Sequence, residues 1–201
     1  MPEPIDLPDV KPAPLEPGTL YLVATPIGNM EDITLRAIRT LRDCDLVAAE
    51  DTRHTGMLLK RLGLAKRQVS AHKFNEAKRS AEIVELLQGG GTVAMVSDAG
   101  SPGISDPGQR LVAAVIEAGC RVETVPGACA LVAALTSSGL PTDEFHFVGF
   151  LPVKSGQRAK RLAKLLELPG TLALYESPYR VVKLLGELAE VAPGRPVVLA
   201  R

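Results

Sequence analysis

Val93-Ala94-Met95-Val96-Ser97-Asp98-Ala99-Gly100-Ser101-Pro102-Gly103-Ile104-Ser105-Asp106-Pro107-Gly108 is a short apolar run that breaks into a loop of unusual make-up. The twelve residues from Ser97 to Gly108 hold three Gly, two Pro and two Asp. Proline fixes turns, glycine bares backbone amides to close approach, and aspartate sets carboxylates beside them. The stretch that follows, with Leu111, Val115 and Ile116 at helical spacing, completes a strand–loop–helix unit. In an open parallel α/β sheet the loops at the carboxyl ends of the strands are where ligands bind. A tight strand-to-helix turn would account for this one loop equally well. A second unit of the same kind, Leu20–Ala24 leading into Thr25-Pro26-Ile27-Gly28-Asn29-Met30-Glu31-Asp32, shifts the balance toward a ligand site at one sheet edge.

The alternation extends outward from these two units. Apolar runs at Leu20–Ala24, Leu46–Ala49, Val69–His72, Thr92–Val96 and Arg121–Val125 read as strands. Between them, Leu35/Ile38/Leu41, Leu58/Leu62, Ile83/Leu86/Leu87 and Leu111/Val115/Ile116 carry the three-or-four spacing of helices. Thr52 and Asn75 stand where helix N-caps belong, and Gly63, Gly89 and Gly119 where helices stop. The run Gly89-Gly90-Gly91 is then a helix stop, because a phosphate loop needs a helix after it and here a strand follows. The fold class is α/β, with a five-stranded, mainly parallel, doubly wound sheet over residues 18–125.

Pro126-Gly127 interrupts this pattern and is the expected linker to a second α/β unit over residues 126–201. That unit reads as helix (Ala128–Ser138), strand (Phe145–Leu151), basic helix (Gln157–Leu168), strand (Thr171–Glu176), helix (Tyr179–Val191) and strand (Pro196–Arg201). A sheet seldom closes on a strand at a bare terminus, so the second unit is expected to be truncated. Residues 1–17 hold six prolines and little apolar periodicity, the pattern of a disordered leader.

Composition narrows the function. Hydrophobic residues make up 46% of the 201 and aromatics only 3%, with no Trp, which suits a helix-covered parallel sheet filled with aliphatic side chains. Lys+Arg and Asp+Glu are equal at 23 each, so any nucleic-acid contact has to come from a local basic patch. Cys44, Cys120 and Cys129 are scattered, giving neither a zinc site nor a disulfide framework, and no metal is expected. No apolar run approaches the roughly 18 residues of a membrane span, and residues 1–17 lack the make-up of a secretory signal. A cytoplasmic protein is expected.

Neither GxGxxG after the first strand nor GxxxxGK[ST] anywhere is present, so the usual dinucleotide and triphosphate cradles are missing. His54, His72 and His146 fall in unrelated elements without a Ser or Cys partner. His54 alone lies in a dense polar run, Ala49-Glu50-Asp51-Thr52-Arg53-His54-Thr55, at the end of the second strand. Acids there can bind sugar hydroxyls or accept a proton, and Arg can grip a phosphate bidentately. A solvated helix start, capped by Thr52 and with its acids favoured by the helix dipole, remains the alternative.

Six segments together resemble a known family: Thr25-Pro26-Ile27-Gly28-Asn29, Ala49-Glu50-Asp51-Thr52-Arg53, Val96–Pro102, Asp106-Pro107-Gly108, Val125-Pro126-Gly127 and Tyr175-Glu176-Ser177-Pro178. In this order they closely resemble the bacterial small-subunit ribosomal RNA methyltransferase I family, a branch of the tetrapyrrole methylase superfamily. The resemblance runs from about Gly18 to Arg201. It implies a two-domain tetrapyrrole-methylase-like fold, a homodimer, and S-adenosyl-L-methionine folded into the cleft between the domains. It implies methylation of a cytidine ribose 2'-hydroxyl in the decoding region of 16S rRNA. Carried onto this chain, the cofactor meets Pro26, Gly28, Ser97, Asp98, Ala99, Gly100, Ser101, Pro102, Ile104, Pro126, Cys129 and Ala130, with Leu174 and Tyr175 from the second domain. Methyl transfer is an in-line displacement in which positioning dominates, helped by a proton acceptor near the weakly nucleophilic hydroxyl. Glu50, Asp51 and Glu176 are the candidate acceptors, with Arg53 and Arg180 to orient phosphate or ribose.

Three departures accompany the resemblance. Tyr179 stands where the family usually has His, Ser101 where Thr is commoner, and the family continues well past Arg201. Lys154, Arg158, Lys160, Arg161 and Lys164 form a basic stretch, with no acid between Leu151 and Leu166, that is expected to track RNA phosphates. A solvated helix face would carry the same charges. Methylation of a tetrapyrrole carbon is the rival within the superfamily, disfavoured because its first loop would be glycine-rich. A cofactor- and rRNA-binding fragment without turnover is the other.

Overall fold

The computed structural model describes residues 13–71 and 76–201. Strands β1 (Thr19–Val23), β2 (Leu46–Ala49), β3 (Gln68–Ser70), β4 (Val93–Val96) and β5 (Arg121–Val125) form one sheet in the order β3-β2-β4-β1-β5. Every pairing is parallel: β1 with β4 and β5, and β2 with β3 and β4. The expected sheet is therefore present, with strand ends within one or two residues of the sequence reading. His72 and Asn75 lie outside the described residues.

The period-two alternation of each strand divides its side chains between two cores. Tyr21, Val23, Val47, Ala49, Ala94 and Val96 face helices α1 (Leu35–Asp43) and α2 (Thr52–Arg61) through Ala37, Leu41 and Leu59. Leu20, Leu46, Ala48, Val93 and Met95 face α3 (Glu76–Gln88) and α4 (Gln109–Glu117) through Ile83, Leu87, Leu111 and Val115. Strands buried on both faces explain the aliphatic composition.

Helix ends follow local chemistry, with one correction. The Thr34 side chain caps α1 by accepting the Ala37 N–H at 3.0 Å. At α2 the cap is Asp51 and not Thr52: the Asp51 carboxylate accepts the Arg53 N–H at 2.8 Å, and Thr52 is already helical. An ionised carboxylate makes the stronger, charge-assisted bond to the exposed amides of a helix start.

Beyond β5, the segment Pro126–Cys129 turns into α5 (Ala130–Ser137). Gly127 lies so close to the end of β1 that a Cβ there would stand 2.9 Å from Ala24 Cβ. Strands β6 (Phe145–Phe150) and β7 (Thr171–Tyr175) pair in parallel as a separate two-stranded sheet. Helices α6 (Ser155–Leu166) and α7 (Val181–Val191) pack with it around Leu151, Leu162, Leu165 and Leu184.

Two expectations are corrected here. Residues 196–201 form no strand, and the second sheet consists of β6 and β7 among the described residues. The expected leader is not free up to residue 17: Leu15 packs against the first core and the Glu16 N–H donates to the Tyr21 hydroxyl at 2.7 Å. Residues 1–12 lie outside the described residues.

Candidate active site

The loop after β4 and the loop after β1 leave the same edge from adjacent strands, and they are joined backbone to backbone. The Thr25 N–H donates to Gly100 O at 2.9 Å and the Gly100 N–H returns to Thr25 O at 3.0 Å. Buried hydroxyls extend the joint, Thr25 Oγ1 to Ser97 O at 3.2 Å and Ser97 Oγ to Gly100 O at 3.3 Å. Gly100 has φ +84°, and a Cβ there would lie 3.3 Å from Ile27 Cγ2 and 3.5 Å from Ala128 O. The backbone conformation favours glycine, and the space beside Ile27 is tight.

These loops form one wall of a cleft of about 240 Å³ whose other wall comes from the second unit. From the sequence reading, Ala99, Gly100, Ser101, Ile104, Cys129, Ala130 and Tyr175 line it. The structure adds Ile27, Asp106 and Phe150. Pro26 and Gly28 flank Ile27 without lining the cleft, Ser97 and Asp98 precede its lining residues without joining them, Pro102 is buried, Pro126 is exposed at the end of β5, and Leu174 belongs to the second core.

Tyr175 joins the walls. Its hydroxyl accepts the Leu131 N–H at 3.1 Å, and its ring meets Phe147 and Phe150 edge-on at centroid distances of 4.9 and 5.7 Å. Burial, then neighbouring Cys129, pushes the phenol up, which keeps it a neutral hydroxyl. The Ser101 hydroxyl donates to Ala128 O at 3.4 Å, tying the loop to the start of α5.

The apolar side chains of Ile27, Ile104 and Phe150, with the Tyr175 ring, make a slot for a flat ring. Its volume is below the roughly 300–1,000 Å³ of pockets that enclose a whole ligand. Such a slot suits the flat base of a nucleoside ligand. Asp98 Oδ1 is buried and has no hydrogen-bond partner among the described residues. Buried acceptors are nearly always satisfied, so this oxygen suits a ligand hydroxyl or amine. By these two tests the site fits S-adenosyl-L-methionine.

Acids converge behind the slot. The Glu50 carboxylate accepts the Asp98 N–H at 3.5 Å. Burial, then the charges of Asp106, Asp98 and Asp51, pushes the Glu50 carboxyl up. Burial also pushes Asp106 up, with hydrogen bonding to Ser97 opposing it and the Asp98 charge adding to it. Asp51 is the opposite case: two bonds from the Arg53 guanidinium, at 2.6 and 3.1 Å, and the helix amides hold it well below the usual carboxylate range. Arg53 is otherwise exposed and faces the Asp98 charge.

The other two candidates are engaged with each other. Glu176 accepts the Ser177 N–H and the Arg180 Nε–H, both at 2.7 Å, with its carboxyl almost wholly buried. Neither lines the cleft. Tyr179, beside them, is 98% exposed.

The raised Glu50 carboxyl has a consequence for stability. In the folded state it holds its proton to higher pH, so stability falls as pH rises from the ordinary glutamate value, about 4.3, through the raised one. Glu50→Gln is therefore expected to raise the melting temperature at pH 8 and to give no gain at pH 4. Thermal melts at the two pH values check this; equal shifts at both would mean that Glu50 carries no buried charge.

A sequence profile for Tetrapyrrole (Corrin/Porphyrin) Methylases matches residues 19–201. The chain is 51% identical over 186 residues to a "Ribosomal RNA small subunit methyltransferase I" from Mesorhizobium japonicum, covering 92% of this chain and 63% of that protein. A protein of the same name from Micromonospora olivasterospora is 53% identical over 184 residues, covering 92% of this chain and 59% of that one. The chain thus spans about three fifths of the length of these curated relatives. Among solved structures, uroporphyrin-III-C-methyltransferase from Thermus thermophilus superposes with a TM-score of 0.59 at 28% identity, over 88% of this chain and 75% of that one.

Proposed function

The chain belongs to the tetrapyrrole (corrin/porphyrin) methylase family, aligning there with the small-subunit ribosomal RNA methyltransferases I, and on that premise we propose that it methylates rRNA of the small ribosomal subunit. The donor is S-adenosyl-L-methionine and the acceptor a cytidine ribose 2'-hydroxyl in the decoding region of 16S rRNA. The observation that carries this reading is the cleft at the carboxyl edge of the sheet, where the Ser97–Gly108 loop meets Tyr175.

In this reading Pro126 marks the boundary between two domains, and the working protein is a cytoplasmic homodimer. Among the described residues no helix is long and apolar enough to cross a membrane, and no group of three or more acids, Cys or His could hold a metal. When bound, S-adenosyl-L-methionine supplies an activated methyl group. Gly100 and Ile27 shape the adenine slot, Asp98 accepts a hydrogen bond from the ligand, and Glu50 holds the Asp98 amide in place. Arg53, steadied by Asp51, grips the phosphate beside the acceptor ribose. Glu176 and Arg180 brace the turn after β7, which sets the position of Tyr175.

The deciding experiment offers labelled S-adenosyl-L-methionine to small subunits from cells lacking this modification and maps the labelled nucleotide. Label on a 2'-O-methylcytidine of 16S rRNA supports the reading. Transfer to a tetrapyrrole instead, or cofactor binding with no transfer to RNA, would replace it with one of the rivals.

The basic stretch takes part in a changed form. Arg158 is 4% exposed, donating to both Glu187 oxygens, at 2.6 and 2.5 Å, and to the carbonyls of Pro152 and Val153. It ties α7 to the loop before α6 and cannot meet RNA. Lys154, Lys160, Arg161 and Lys164 are exposed, Lys160 and Lys164 on the face of α6 away from Leu162 and Leu165. Neutralising Lys160 and Lys164 together is expected to lower the log–log salt dependence of subunit binding by about one per lost phosphate contact, with an unchanged melting temperature. Arg158→Gln is expected to lower the melting temperature. An unchanged slope in the double variant would leave these lysines to solvation.

A further inference from the structure

Resting on the methyl-transfer reading, we infer that Asp106 is the residue that takes the proton from the acceptor hydroxyl, and that the second domain sets its position. Of the described acids near the cleft, Asp106 alone lines it. Asp51 is occupied by Arg53 and the α2 amides, Glu176 is closed off with Arg180 and the Ser177 amide, and Glu50 sits behind the Asp98 N–H.

The backbone that carries Asp106 is constrained from both sides. Ser105, just before it, has φ +64°, the only such value among the described non-glycine residues. This conformation is strained for an ordinary residue and tends to persist where surrounding structure holds it, often at functional sites. β6 approaches this turn at Gly149. Gly149, at φ +68° beside a break in the β6–β7 register, leaves room in which a Cβ would stand 2.8 Å from Ser105 Oγ. The absent side chain of one unit thus accommodates the strained turn of the other, and the next residue, Asp106, lies between the two.

The groups facing Asp106 are Ser97, which hydrogen-bonds to it, the acids Asp98 and Glu50, and Tyr175 across the cleft. Among the described residues, two acids and a neutral phenol surround it and no cation stands against it, so a proton is held more readily than on a free aspartate. That suits a proton acceptor. In the step, the hydroxyl oxygen bonds to the sulfonium methyl carbon and the carbon–sulfur bond breaks with its electron pair left on sulfur. The hydroxyl proton passes to the Asp106 carboxylate, so charge and atoms balance.

The test compares the full-length parent with Asp106→Asn, Asp106→Glu and Ser105→Val, on small subunits and S-adenosyl-L-methionine. For Asp106→Asn, calorimetry should give cofactor affinity within threefold of the parent, while methylation falls about a hundredfold or more and loses the acidic limb of its pH profile. Asp106→Glu should recover part of the rate. Ser105→Val keeps the carboxylate, but a β-branched residue disfavours the left-handed turn, so it too should turn over slowly with cofactor affinity kept. Parent-like rates for Asp106→Asn at every pH would overturn the assignment while leaving the parent's activity, and the broader reading, intact. Loss of cofactor binding along with activity would also overturn it, making Asp106 a cofactor ligand. If the parent itself fails to methylate subunits, the broader reading is what falls.

Discussion

Gly100→Leu is expected to weaken S-adenosyl-L-methionine binding about a hundredfold or more, equivalent to some 2.7 kcal/mol, in a protein that still folds. Two effects combine. At φ +84° any side chain carries a backbone penalty of roughly 1–2 kcal/mol. A leucine there also fills the slot, since even its Cβ would lie 3.3 Å from Ile27 Cγ2. The β4 core lies behind this residue and should survive. Calorimetry on folded variant and parent reads the affinity, and an unchanged value would remove this loop from the binding site.

The second large effect is expected at Arg53. Its guanidinium is 88% exposed yet held at a fixed angle by two bonds to Asp51. That is how a side chain is oriented toward a phosphate without being buried, and misplacing a positioned reactant by about 1 Å can cost a hundredfold in rate. Arg53→Ala should therefore reduce kcat/KM for subunit methylation by about that factor, with cofactor affinity and melting temperature near those of the parent. Lysine at this position should not restore the rate, because an ammonium cannot reproduce the paired, planar contact. Turnover at the parent rate would reduce Asp51 and Arg53 to a helix cap and its surface partner.

The elements were legible because short apolar runs, helical spacing and glycine stops agreed with one another at each boundary. The cap of α2 was misread by one residue: Asp51 and Thr52 are both good caps, and only geometry shows which side chain reaches the Arg53 amide. The burial of Arg158 left a trace in its spacing, since it shares the inward stripe of α6 with Leu162 and Leu165. Its partner Glu187 lies 29 residues further on, and nothing local announces the pair. The cleft was half legible. The two loops declared themselves, Asp106 and Ile27 within them, whereas nothing local shows that both meet Phe150 of β6 in the same space. Convergence of that kind is a property of the packed chain. The strand expected over Pro196–Arg201 is likewise not formed, since an apolar run becomes a strand only in company.

The reciprocal backbone bonds between Thr25 and Gly100 bear on how tightly a ligand can be held. Two such loops left to themselves would sample many arrangements, and a ligand would have to freeze them as it arrived. Here that loss of freedom is incurred when the chain folds, because each loop is the other's restraint. The lip of the cleft is preorganised, and more of each contact a nucleoside makes there remains as net affinity.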